Sequence, residues 1–388
     1  ISIEIQQQAW DDYWNMIVTG LVSGEAPDVF TNHLSRYPEF AANNQILPIN
    51  EFVERDGIDV NQYFPGLADL WVDPNGDRYG LPKDWDTIAL FYNQDLVEAA
   101  GLTEEDLWEL AWNPDDGGSF EEAIARLTVD ANGVRGDEPG FDPDNVEVFG
   151  LGLQNAGGNG HGQQHWSHYA VSNGFQYTNK EVWGDQYNYD DPKFVEMVTW
   201  HSSLIEKGYM NTLEGALSGV GAIESFGSGR FAMLTDGSWT TRAYYGLEGV
   251  NVGLAPVPVG PTGERASMFN GLADSIYAGT DHVDEAWEWV KFLASTDCQD
   301  IVGEHAVVFP AIGSSTEIAT QQYAEAGIDA EAFTVHVDEG TTFLFPITEH
   351  ASDIYSILEP TMDSIYSFQA DPQEALADAN TQINSLFE

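Results

Sequence analysis

The sequence predicts an α/β protein. Stretches with the two-residue period of strands alternate with stretches of helical spacing along most of the chain. Polar and aromatic residues crowd the ends of apolar runs, as in "PKDWDTIALFYN", and open α/β sheets bind ligands beyond their strand ends. The 388 residues suffice for about two to three domains, and no internal repeat or low-complexity segment interrupts them.

"ISIEIQQQ" alternates Ile1, Ile3 and Ile5, the period of a strand. Trp10, Trp14, Ile17 and Leu21 follow at helical spacing, with Gly24 as the stop. "APDVFT" is a short strand, and this strand, helix, strand order predicts a parallel βαβ unit. The Pro-Asn-Gly of "LWVDPNGDRYGLP" predicts a hairpin. "TIALFYN" is a strand and "QDLVEAAG" a helix closed by glycine. In "GGSFEEAIARLTVD", Ser119 and Glu122 have the spacing of a capping box. "VEVFGLGL" is a strand. "DDPKFVEMVTWHSSLIEKG" is a helix opened by Asp191 and Pro192 and closed by Gly208. "GRFAMLTDGSW" and "SMFNGLADSIYAG" are strand regions. "DHVDEAWEWVKFLAST" sets Ala286, Trp287, Val290 and Leu293 on one helical face. Two helical patterns end the chain, around "DIYSILEPTMDSIYSF" and "QEALADANTQINSLF".

Acids outnumber bases 64 to 13, a net charge of −51. Disordered acidic tails lack aromatics, whereas this chain has 12 Trp, 16 Tyr and 20 Phe, and its acids are spread throughout. The charge therefore predicts a folded protein with an acidic shell suited to concentrated salt, where the screening length shrinks to about 3 Å at 1 M. Such a surface is expected of a halophile's protein. Without a basic footprint, nucleic acid is not expected as a partner. The single cysteine, Cys298, allows no internal disulfide, and its setting "STDCQD" suits a packed thiol. No run of about 18 apolar residues marks a membrane helix. Ile1 is not a natural start, so the numbering is expected to begin inside a processed or trimmed chain. The loop "DANGVRGDEPGFDPDN" offers Asp130, Asn132 and Asp137 as weak Ca²⁺ ligands without EF-hand spacing. No metal or other cofactor is expected.

"SGEAPDVFTNHLSRYPEFAANNQILPINEFV", "YGLPKDWDTIALFYNQDLVEAAGL", "FDPDNVEVFGLGL", "GRFAMLTDGSW" and "DEAWEWVKFLAST" follow one another in order. Together they resemble the extracellular sugar-binding proteins of ABC importers, the maltose-binding-protein-like family. The resemblance runs from Ile1 nearly to Glu388. It implies a two-lobed periplasmic-binding-protein-like fold of type II, with a ligand cleft between α/β lobes. The chain would cross between them near Tyr92–Asn93, near Gly271 and around Val335–Thr342. The N-terminal lobe is then 1–92 with 271–335, and the C-terminal lobe 93–270 with 336–388. The family opens with one more strand and helix, so an N-terminal strand and helix are expected to be missing here. The resemblance further implies an extracellular monomer, tethered at the cell surface by a lipid-modified cysteine upstream of Ile1. It would capture ligand by lobe closure and deliver it to the transmembrane permease of an ABC transporter.

A sugar presents flat C–H faces to aromatic rings and a rim of hydroxyls to carboxylates and amides. Its site therefore wants both kinds of side chain, and an unpaired buried polar group enforces the hydroxyl pattern. "PKDWD" supplies Asp84 or Asp86 for hydroxyls, Asp84 being favoured, and Trp85 for a ring face. By resemblance, Asn32, His33, Ser35 and Arg36 of "TNHLSRY" touch hydroxyls in the N-terminal lobe, and Trp239 of "GSW" is the family's stacking aromatic. The glycine-rich "NAGGNGHGQQHWSHY" contributes His165 and Trp166, the strand "FNGL" contributes Asn270, and the last crossing contributes Phe343. The bland alternatives are core packing for the aromatics and loop positions for His33 and the acids.

Two other classes compete. A glycoside-processing enzyme would need two carboxylates about 5–10 Å apart; no nucleophile elbow, Walker loop, paired CxxC or HExxH is present, and binding without catalysis is the expectation. A binder of the same fold for a non-sugar solute such as a polyamine would also use acids and aromatics.

Overall fold

The computed structural model describes residues 1–388, the Asp11 side chain aside. Its strands are β1 (Val29–His33), β2 (Asp84–Trp85), β3 (Ile88–Asn93), β4 (Val129–Asp130), β5 (Val146–Leu151), β6 (Phe231–Gly237), β7 (Val252–Pro256), β8 (Ser267–Phe269), β9 (Leu272–Ile276), β10 (Phe309–Pro310) and β11 (Thr342–Leu344). Helices alternate with them, so the α/β expectation holds. The chain gathers into two compact units: Ile1–Trp85 with Asn270–Gln322 and Ile347–Ala351, and Asp86–Phe269 with Tyr323–Pro346 and Ser352–Glu388. The first crossing is expected at Tyr92–Asn93. The chain leaves the first unit at Trp85–Asp86, because β3 is an inner strand of the second unit's sheet, hydrogen-bonded to β6 and β7.

In the first unit β1 pairs antiparallel with β9, Val29 opposite Ile276 and His33 opposite Leu272. The expected parallel βαβ unit does not form. Ile1, Ile3 and Ile5 alternate as a strand would, but residues 1–9 form no strand and are exposed; alternation without a hydrogen-bonding neighbour does not hold an isolated strand in water. The helix Trp10–Ser23 does form, and Gly24 closes it at φ 79, a left-handed position that glycine takes without strain. Trp14, Ile17 and Leu21 are buried, while Trp10 is 55% exposed. The Pro-Asn-Gly turn also forms, with Gly76 N–H donating to the Asp73 carbonyl and Tyr79 N–H to that of Trp71. Helix Val283–Leu293 buries Ala286, Trp287 and Val290, each large side chain contributing roughly 1.5–3 kcal/mol.

The second unit holds a five-stranded sheet in the order β4-β5-β6-β3-β7 and a smaller parallel pair, β11 with β8. β5 runs parallel to β6, and β3 antiparallel to both its neighbours. Every residue of β3 is buried, which explains its unbroken apolar reading. Asp191 caps Pro192–Glu206 by accepting from Lys193 N–H at 2.8 Å. The Ser119 capping box is absent. The helix begins at Gly118, which puts Ser119 inside it, and the Ser119 hydroxyl oxygen accepts instead from Ala111 N–H. Thr103 and Asp106 form such a box at the start of Glu104–Trp108.

Candidate functional site

The first unit brings Asn32, His33, Ser35, Asp84 and Asn270 to the end of the β1–β9 pair. Asn32 ties the two strands, donating to Ser275 Oγ at 3.1 Å and accepting from His33 N–H at 2.9 Å. His33 Nδ1 accepts from Ser35 N–H at 3.1 Å, and its Nε2 lies 2.7 Å from the Asn270 amide. Burial, with the Arg36 charge nearby, pulls the His33 pKa down to about 3. Arg36 is half-buried and lies over the Trp14 ring, 5.3 Å from its centroid. Asp84 Oδ1 accepts from Leu272 N–H at 2.6 Å. Burial raises the Asp84 pKa to about 6, against the pull of Lys83 and that N–H. Lys83 itself donates to Thr31 Oγ1 at 2.7 Å and Asp274 Oδ1 at 2.9 Å.

Trp85 is placed elsewhere. Successive strand residues point to opposite faces, so with Asp84 turned to Leu272, Trp85 enters the core. It is 1% exposed, stacks on Phe309 at 4.6 Å, and donates Nε1–H to Thr316 Oγ1 at 3.2 Å. In this packing it offers no ring face to a sugar.

The second unit gathers a different set. Asp86 Oδ1 accepts from Gln163 Nε2 at 3.1 Å. The buried Asp236 accepts from the Gln164 amide, from Gly237 N–H at 2.7 Å and from the Tyr244 hydroxyl at 3.0 Å. Burial raises its pKa, and these donors oppose the rise. Trp239 is half-buried and folds back over Gly237, where an added Cβ would meet the ring at 2.0 Å. His165 is buried with Nε2 unpartnered among the described residues, and burial lowers its pKa to about 4. Trp166 is a core residue: fully buried, it donates to the Ala156 carbonyl at 2.9 Å and meets Phe194 edge to face. Gly162, at φ 69, gives that ring its room. Phe343 on β11 is half-buried and stacks on Tyr177 with centroids 6.2 Å apart. Sequence reasoning passed over Gln163, Gln164 and Asp236; their signal was polarity inside "GHGQQHW" and just before "GSW".

Asp130 turns its oxygens inward to the N–H groups of Asn132, Val134 and Asp142. Burial works against its charge, and these bonds outweigh burial and hold its pKa below the ordinary carboxylate value. Its loop is thus closed by backbone donors, and among the described residues no group of three or more His, Cys, Asp or Glu is arranged for a metal ion. No helix of the described residues is long and apolar enough to cross a membrane.

The sequence profile described as bacterial extracellular solute-binding protein matches residues 1–300. A maltooligosaccharide ABC transporter solute-binding lipoprotein of Streptococcus pneumoniae is 25% identical over 375 residues, spanning 93% of this chain and 76% of that protein. Among solved structures, an ABC substrate-binding protein from Listeria monocytogenes in complex with cycloalternan matches with a TM-score of 0.81 at 18% identity, over 98% of this chain and 90% of the other. A solute-binding protein from Thermotoga lettingae bound with alpha-D-tagatose matches at 0.79 and 20% identity, over 100% and 92%. At such identities these two structures speak to the fold, and the fold agrees.

Proposed function

We propose, since the chain belongs to the bacterial extracellular solute-binding protein family, that it binds a mono- or oligosaccharide and delivers it, chemically unchanged, to the permease of an ABC transporter. The carrying observation is how the buried carboxylates are satisfied. Asp236 is held by an amide, a backbone N–H and a phenol, and Asp84 by a backbone N–H. Neither stands in an ion pair among the described residues. A phosphate ligand would call for Arg or Lys there; a neutral polyol calls for carboxylates and amides, with Trp239 as the flat surface. The sugars in the names of the pneumococcal, Listeria and Thermotoga proteins support the same class. In this reading the protein works outside the cell as a lipid-tethered monomer, and its acidic shell suits a salty medium.

Melting curves across a panel of sugars and polyamines test the proposal. A ligand at a hundredfold excess over its Kd should stabilise the protein by about 2.7 kcal/mol. Shifts with polyamines and none with sugars would overturn it in favour of a polyamine binder of the same fold, which the same carboxylates, hydrogen-bonded but free of ion pairs, also suit. Hydrolysis of an offered oligosaccharide would replace binding with catalysis.

A further inference from the structure

His33 and Asn270 are both buried, Asn270 to 2% exposure, and their side chains meet at 2.7 Å. The far ring nitrogen of His33 settles which group donates. Ser35 N–H donates to Nδ1 at 3.1 Å, and Ser35 Oγ lies 2.8 Å from the same atom. Nδ1 therefore carries a lone pair. Burial keeps the ring neutral, and a neutral imidazole has one N–H, so the proton sits on Nε2. An N–H donor cannot face the NH₂ of Asn270; it needs the amide oxygen. The two ends of an asparagine amide exchange by a half-turn, and hydrogen-bond chemistry decides between them. The end turned away from His33 is buried without a partner among the described residues.

We propose that Asn270 is a specificity-determining residue: Ser35 and His33 lock its amide oxygen inward, and its unpaired NH₂ reads an acceptor oxygen of the ligand. The proposal rests on the sugar reading and deepens it. A site with a buried donor discriminates strongly against an analogue lacking the matching oxygen, because the donor is then left unpaired. The adjoining backbone holds the donor in place. At Gly271 any Cβ would lie 2.5 Å from the Asp84 carbonyl oxygen, and Leu272 N–H is bonded to Asp84 Oδ1. A carboxylate acceptor and an amide donor thus stand on adjoining segments of the first unit, the complement of a sugar hydroxyl, which donates and accepts at once.

Two measurements test this. Nitrogen–proton correlation spectra of the ligand-free, histidine-labelled protein should report His33 as the Nε2–H tautomer; an Nδ1–H tautomer overturns the proposal, because the NH₂ would then face the ring. Calorimetric titration of wild type and Asn270→Asp uses the sugar that binds wild type and its monodeoxy analogues. The variant should bind that sugar roughly tenfold or more weakly. One deoxy analogue should lose affinity for wild type and lose little more on Asn270→Asp, the signature of coupled partners. Additive losses for every analogue overturn the proposal. A wild type that binds no sugar overturns the sugar reading and the ligand contact with it, and the tautomer then reports only which end of the amide faces His33.

Discussion

Asp84→Asn removes one ionisable group from a buried position and keeps the shape of the side chain. Asp84 is 7% exposed, and burial raises its pKa from 3.8 to about 6. Folded Asp84 thus holds its proton more tightly than the unfolded chain does. Its contribution to stability is full below about pH 4 and is lost as pH rises through about 6. At about 1.36 kcal/mol per pH unit, keeping it ionised at pH 7 costs up to roughly 3 kcal/mol. Asparagine keeps an oxygen for Leu272 N–H but gives up the attraction to Lys83, so the variant should gain roughly 1–3 kcal/mol at pH 7 and little near pH 4. The gain should appear as a Tm several degrees higher. In the proposed function Asp84 is a charged acceptor for a ligand hydroxyl, and on that reading the same change should lower sugar affinity by roughly 1.5–3 kcal/mol. Scanning calorimetry at pH 4, 5.5 and 7 in one salt concentration, with titration calorimetry at pH 7, measures both. A variant that melts below wild type at pH 7, or gains equally at pH 4 and 7, would refute the reasoning.

Trp239→Ala should weaken sugar binding by roughly 1–3 kcal/mol; an unchanged titration would remove it from the site. Gly237→Ala should act through the same ring. Its φ of −86 is ordinary, but the new Cβ would displace Trp239, so affinity should fall more than Tm. Trp85→Ala should instead destabilise the protein by about 3–5 kcal/mol as a core truncation, and a variant that melts like wild type but loses sugar would return Trp85 to the site. Burial lowers His33, His165, His201 and His336 to about 3, 4, 3 and 3. The stability these neutral rings provide is present above about pH 6.5 and is lost as pH falls toward about 3–4; acid melting curves that stay flat over that range would contradict their neutral burial. With a net charge of −51, Tm should climb as salt rises from about 0.1 M toward 3 M, because screening relieves self-repulsion; greatest stability in dilute buffer would refute the halophilic reading.

The sequence by itself determined the elements whose signals are local. Helices Trp10–Ser23, Pro192–Glu206 and Val283–Leu293 and strands β3, β5 and β6 follow from side-chain spacing and punctuation, because backbone conformation depends on neighbours within a few residues. The order of its segments also determined the family. The partners of each element were decided only in three dimensions. β1 pairs with β9, which is distant in sequence, and "ISIEIQQQ" has no strand beside it. Trp85, Trp166 and Trp239 read alike, each an indole after polar residues. Phe309, far along the chain, covers the first, Phe194 and a glycine loop enclose the second, and the third lies half-buried over Gly237. Whether an aromatic ring becomes core or contact surface depends on which distant side chains close over it, and that is settled by packing rather than by local pattern.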